Sequence, residues 1–426
     1  AVVLGAVTLG SNTTIDTNAT NTTGDITIAA VTGGSNNLTL STGNNVAGAD
    51  ITASGAISGL GNLTLADVGG TATFSNNVAA AALSADNTVA NVSFTGGTNT
   101  FSGAASFAND GTLIFGDATG DSFTFNGGLN TASVAGTVTL NTSISSSDDA
   151  LTFGAVTLGN NVTIDTNSTT TNRADITIAA VTGGNNTLTL TTENNIANAD
   201  ITASGNISGV TTLTLASVGG TATLSADVDV TTLAVDNTVA NVVFSGNGSS
   251  VVNAIAFAND GTLTLGTSGG TQTYNGGLTT TAIGSPVALN GTIASSNDVI
   301  TLGAVTLGSN TTIDTNATNT TGDITIGAVT GNNNSLTLDT TASTGSASHT
   351  LNGNINLGSG ALSVTGDVVL GANVSVTATG GIVFNDAIDA DNASSNDRTL
   401  TLDAGTGSAI SVTGGIGGSQ ALAGLT

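Results

Sequence analysis

Apolar and polar residues alternate along this chain in very short runs. In Ile26-Thr27-Ile28 the isoleucines fall on one side of an extended backbone and Thr27 on the other, because strand side chains alternate. The same triplet returns as Leu38-Thr39-Leu40, Leu63-Thr64-Leu65, Leu113-Ile114-Phe115, Val138-Thr139-Leu140, Leu188-Thr189-Leu190 and Leu263-Thr264-Leu265. Val, Ile, Thr and Phe favour strands. Between the triplets stand Gly33-Gly34, Gly183-Gly184 and many Asn-Asn, Ser-Asn and Thr-Gly pairs, which mark turns. No stretch carries the period of an amphipathic helix.

Two repeats are superimposed on this pattern. Gly5-Ala6-Val7-Thr8-Leu9-Gly10 returns from Gly154 to Gly159 and from Gly303 to Gly308, a step of 149 residues each time. The long repeats are therefore 5–153, 154–302 and 303–426, the third departing from the others after about residue 344. A shorter period lies inside. Asp25-Ile26-Thr27 is followed 25 residues later by Asp50-Ile51-Thr52, and Asn37-Leu38 by Asn62-Leu63. Six steps of about 25 fill one long repeat, and the chain holds about 17 of them, although Thr88-Val89-Ala90 fits the phase poorly.

A strand of three residues cannot stand alone in water. A coil of about 25 residues with inward Leu and Ile buries them only against the coils above and below it. The expected fold is all-β: one continuous parallel β-helix, or β-solenoid, over residues 1–426. Its rungs would lie ~4.8 Å apart and build a rod on the order of 80 Å long. The alternative is a row of β-sandwich domains. The internal period argues against it, because sandwich strands do not repeat their own sequence.

Stacking at this period sets residues into columns. Asn12, Asn37, Asn62 and Asn87 would share one, with amides bonded from rung to rung. Asp25 and Asp50 would share another, as would Asp175 and Asp200. Carboxylates ~5 Å apart repel unless solvated or bridged by a cation. Two readings stand for these four: solvated turns that cap backbone N–H groups, or weak sites for calcium, which takes oxygen ligands.

Composition narrows the function. The chain has no lysine, two arginines (Arg173 and Arg398) and 28 acidic residues, for a net charge of −26. Such a chain cannot neutralise phosphates, which argues against nucleic acid and anionic membranes as partners. No apolar run is long enough for a transmembrane helix, and 12 aromatics cannot supply the girdles of a membrane barrel. With 38% hydrophobic residues and a mean hydropathy of +0.29, disorder is not expected. There is no cysteine. The missing initiator Met and leader suggest a mature or excised segment.

Candidate chemistry is sparse. His349, the one histidine, stands beside Ser348 and reads as a surface residue. Asp148-Asp149 is the one Asp-Asp pair, and the second copy has Asn297-Asp298 in its place, without a nearby base. Zinc ligands and a phosphate-loop lysine are missing. Gly414-Gly415-Ile416-Gly417-Gly418 reads as a turn. Rows of Thr raise ice binding, but Asn37, Asn62 and Asn161 interrupt them. No enzymatic activity and no certain cofactor are expected.

The Gly-Ala-Val-Thr-Leu-Gly units and the Asn-Leu-Thr-Leu and Asp-Ile-Thr strands resemble the β-helical passenger regions of bacterial autotransporters and filamentous-haemagglutinin-type adhesins. The resemblance is one of composition and period over the whole chain. It implies an exported, extracellular, non-catalytic protein of the cell surface. Residues 1–426 carry no pattern of a translocator barrel and no Arg-Gly-Asp triplet, two departures from that family. The resulting expectation is a structural rod or filament subunit that stacks head to tail with itself through its end coils, with adhesion as a further capacity. The alternatives are a passenger segment of a larger adhesin that binds a host or surface ligand, and, more remotely, a β-helix enzyme acting on polysaccharide.

Overall fold

The computed structural model describes residues 1–20, 24–168, 174–315, 322–340, 347–391 and 398–426. Arg173 and the point near 344 where the third copy diverges lie outside them. All regular structure among the described residues is β-strand, and the paired strands run parallel, so the fold is a parallel β-solenoid. Two compact units divide the chain, Ala1–Ala222 and Thr223–Thr426.

In the first unit each coil crosses three columns of inward side chains. The first column runs through Val2, Ile26, Ile51, Ala72, Val92, Leu113, Val138, Val156 and Val181. The second contains Val31, Ile57 and Val78, then Phe123, Ile144, Ile164 and Leu190. The third contains Leu38, Leu63, Leu83, Ala105, Leu129, Leu151 and Ile176. Each triplet buries its outer residues and half-exposes its centre, as Ile26, Thr27 and Ile28 do. The second unit is built likewise, with columns such as Val287, Val305, Val329, Ile355, Val376 and Leu402.

The coil length departs from the expected 25. Ile26 to Ile51 is a step of 25, but Leu63 to Leu83 is 20 and Val138 to Val156 is 18, while Ile382 to Ile410 is 28. The inward-outward-inward triplet sets a strand, and the turns between triplets can shorten without disturbing it. Asn87 accordingly leaves the expected asparagine column: the residue opposite Asn62 is Ala82.

The long repeat is also not a whole number of coils. Six coils carry the first column from Val2 to Val138, and two further faces, through Ile144, bring the chain to Leu151. Leu151 is the counterpart of Val2, yet it stands in the third column. Likewise Ile176, the counterpart of Ile26, stands in the third column, Val181 in the first where Val31 is in the second, and Leu190 in the second where Leu40 is in the third. Each face must therefore stack on strands of another type. That accounts for why Ile-Thr-Ile, Leu-Thr-Leu and Leu-Thr-Phe are so alike.

The aromatics are all interior: 11 Phe and Tyr274 are among the most deeply buried side chains. Seven of these phenylalanines lie between Phe74 and Phe125, where Ala72, Ala80, Ala85 and Ala105 leave room between shorter coils. Phe74, Phe94 and Phe115 stack in successive coils, with ring centroids 4.9 and 6.0 Å apart.

Candidate functional site

The four predicted aspartates sit where their columns require, one residue before a strand. Asp25 Oδ1 accepts the N–H of Asp50 at 3.0 Å, and Asp50 Oδ1 accepts that of Thr71 at 2.7 Å. Asp175 and Asp200 repeat this, accepting from the N–H groups of Asp200 at 2.9 Å and Thr221 at 2.7 Å. One oxygen of each carboxylate thus staples its coil to the next. Among the described residues no group of three or more His, Cys, Asp or Glu side chains is arranged to hold a metal ion.

Asparagine does the same work. Asn12 Oδ1 accepts from the Asn37 N–H and Asn37 Oδ1 from the Asn62 N–H, each at 2.9 Å. The rung-to-rung bonds expected between amides therefore run from side chain to backbone. An isolated backbone N–H at a strand entry finds an acceptor this way. Asp and Asn both supply the oxygen, which is why Asn91, later in the column of Asp25 and Asp50, accepts from the Thr112 N–H in the same way.

The Asp148-Asp149 pair is a tight turn. Asp148 has a φ of 67° and its counterpart Asn297 a φ of 69°, the left-handed region that Asp and Asn tolerate best. In both copies a serine hydroxyl, Ser146 or Ser295, donates to the carbonyl oxygen of the following aspartate, Asp149 or Asp298. Burial, then the adjacent Asp148 charge, pushes the Asp149 carboxyl above its ordinary range. Asp149 borders a shallow depression with Ser106, Gly127, Gly128 and Asn130.

His349 corrects the sequence reading: it is fully buried, not a surface residue. The signal was available, since Ser348-His349-Thr350 occupies the place of Asp50-Ile51-Thr52 and the isoleucine there faces inward. A second pair escaped notice. Glu193, the one glutamate, stands where the first copy has Gly43, and it lies against Asp165. The Asp165 carboxyl is pushed up to about 6, chiefly by burial and further by the charge and hydrogen bond of Glu193; the Asn167 N–H, 2.7 Å from its Oδ1, opposes the rise. Arg398 pairs with Asp391, its Nη2 2.6 Å from Oδ2.

The outward face of the third column is a continuous polar ladder. From Thr14 to Thr202, successive coils present Thr, Ser or Asn at its centre, including Thr39, Thr64, Thr152 and Thr177. Compared with protein-family models, with curated proteins and with solved structures, the chain matches none of them.

Proposed function

We propose that this chain is a non-catalytic structural protein of the cell surface, exported, and that it assembles with further copies by adding coil to coil. One observation carries the reading. Coils are joined by parallel backbone ladders, as where Val2–Thr8 lies on Ile26–Thr32 and Gly424–Leu425 on Thr399–Asp403. In these outermost described strands the inward residues are less covered than within the stack: Val2 and Leu4 are half-buried and Leu425 is 55% exposed, whereas their partners Ile26, Ile28 and Leu400 are buried. The edge of a parallel ladder is a template for another strand. The partner that fits it is a coil with the same inward-outward-inward pattern, which a second copy supplies. Sparse charge of one sign keeps the flanks of neighbouring molecules apart.

Sedimentation of the purified chain over a range of concentrations tests this, followed by negative-stain microscopy. The expected result is fibres that lengthen with concentration. A strictly monomeric species at the highest concentration would remove the assembly reading.

The polar ladder from Thr14 to Thr202 favours a second reading, a passenger segment of a larger adhesin. Hydroxyls and amides in that column are suited to hydrogen-bonding a carbohydrate ligand. Glycan-array binding that is lost when Thr39, Thr64 and Thr152 become valine supports it, and no binding to any glycan removes it.

A further inference from the structure

The residue stacked on Ile26 is Ile51, and the residue stacked on Ile176 is Ile201. In the third copy the residue stacked on Ile324 is His349, followed by Val368. An imidazole thus fills an isoleucine position in an apolar column. Its Nε2 lies 2.9 Å from the carbonyl oxygen of Thr365 and 3.3 Å from Thr340 Oγ1. A carbonyl only accepts, so the ring proton is on Nε2. Nδ1 is then a bare acceptor, buried, with no partner among the described residues.

The surroundings are shaped to this ring. Gly366 has a φ of 117°, and a Cβ there would overlap the Thr340 hydroxyl and stand 3.1 Å from His349 Nε2. Four carboxylates are nearby, and three of them already serve backbone groups. Asp323 accepts from the Ser348 N–H at 2.7 Å, Asp386 from the Gly366 N–H at 2.8 Å, and Asp367, opposite Ser348 in the ladder, from the Ala387 N–H at 3.2 Å. The fourth is Asp339, at the end of the strand Leu336–Asp339.

We propose that His349 is an acid-sensitive latch: neutral, it holds the Thr365 carbonyl and closes the coils around it, and a second proton on Nδ1 opens them. That proton comes from solvent and would place an unpaired N–H and a positive charge between Ile324 and Val368, which is costly. Burial is the largest influence and holds the imidazole below its ordinary 6.5, against the Thr365 bond and the charges of Asp339, Asp323 and Asp386. A histidine depressed in the folded state stabilises it above the unfolded value, and that stability is lost as pH falls through the folded value. The first two copies, with Ile51 and Ile201, lack the device.

Hydrogen exchange on the full chain tests the proposal, at about pH 7.5 and about pH 5, spanning the histidine range. After correction for intrinsic rates, protection of the amides of Ser348–Leu351 and Asp367–Leu370 should fall in the acid sample. Protection of Ile26–Thr32 should hold. His349→Ile should abolish the acid effect, and His349→Gln, which keeps a donor for Thr365 without titrating, should do the same if the first variant folds poorly. An unchanged acid effect in a folded variant, or equal loss of protection in Ile26–Thr32, would overturn it.

Discussion

Phe94 is the ring on which the aromatic interior of the first unit converges. It is fully buried and stacks between Phe74 and Phe115, while Phe101, Phe107 and Phe123 meet it edge-on at 6.3, 6.1 and 6.0 Å. Truncation to alanine removes the ring and leaves a cavity, which costs about 3–5 kcal/mol. Favourable ring pairs add about 0.5–1.5 kcal/mol each beyond area burial, though not additively. Phe94→Ala should therefore fall at the upper end, about 5 kcal/mol. Its counterpart Phe244 is as deeply buried, but its one described ring neighbour is Tyr274 at 6.4 Å. Phe244→Ala should fall near the lower end, about 3 kcal/mol. A repeat fold opens locally, so a single global unfolding energy blurs the comparison. The assay is hydrogen exchange at the amides of Asn91–Phe94 for one variant and Val239–Phe244 for the other. If Phe94→Ala loses no more protection than Phe244→Ala, the ring cluster contributes nothing beyond burial and the reasoning fails.

Other expectations follow from single contacts. A Cβ on Gly55 would overlap the Ala29 carbonyl oxygen, whereas nothing lies within 4 Å of one on Gly5. Gly55→Ala should destabilise by about 1–3 kcal/mol and Gly5→Ala should leave the thermal midpoint unchanged. Asp50→Asn keeps an acceptor for the Thr71 N–H and should melt as the parent does, while Asp50→Ala should melt lower. A midpoint raised by calcium in the parent and insensitive to it in Asp50→Asn would show instead that the column binds the cation. Asp165 is raised in the folded state, so folding takes up protons there and stability should rise as pH falls through about 6 toward the ordinary 3.8. Asp165→Asn should remove that slope for the coil around Val162–Asp165, read by exchange across the same range.

The strands were legible because three residues suffice to encode one. Ile26-Thr27-Ile28 states which side faces inward, and the parallel stacking follows from its being too short to stand alone. Coil length was not legible, since the turns that set it carry no inward residues. The poor fit at Thr88-Val89-Ala90 was the visible sign that coils there had shortened to 20 or 21 residues. The aspartate columns and their capping of backbone N–H groups were legible, but not that the capped N–H belongs to the next coil, which depends on how far that coil is offset. His349 was misread because a lone histidine without catalytic partners reads as a surface residue. Alignment with Ile51 and Ile201 places it inside.

The mismatch between the long repeat and the coil has a consequence for anything that recognises this surface. Two copies of one motif, such as the strands that begin at Ile26 and Ile176, look out in different directions from the same column of coils. A bivalent binder with a straight spacer that grips the motif once cannot reach its twin along one flank, and so loses the gain that tethering would bring. The repetition that is so plain in one dimension is turned by its own winding into a display without a front.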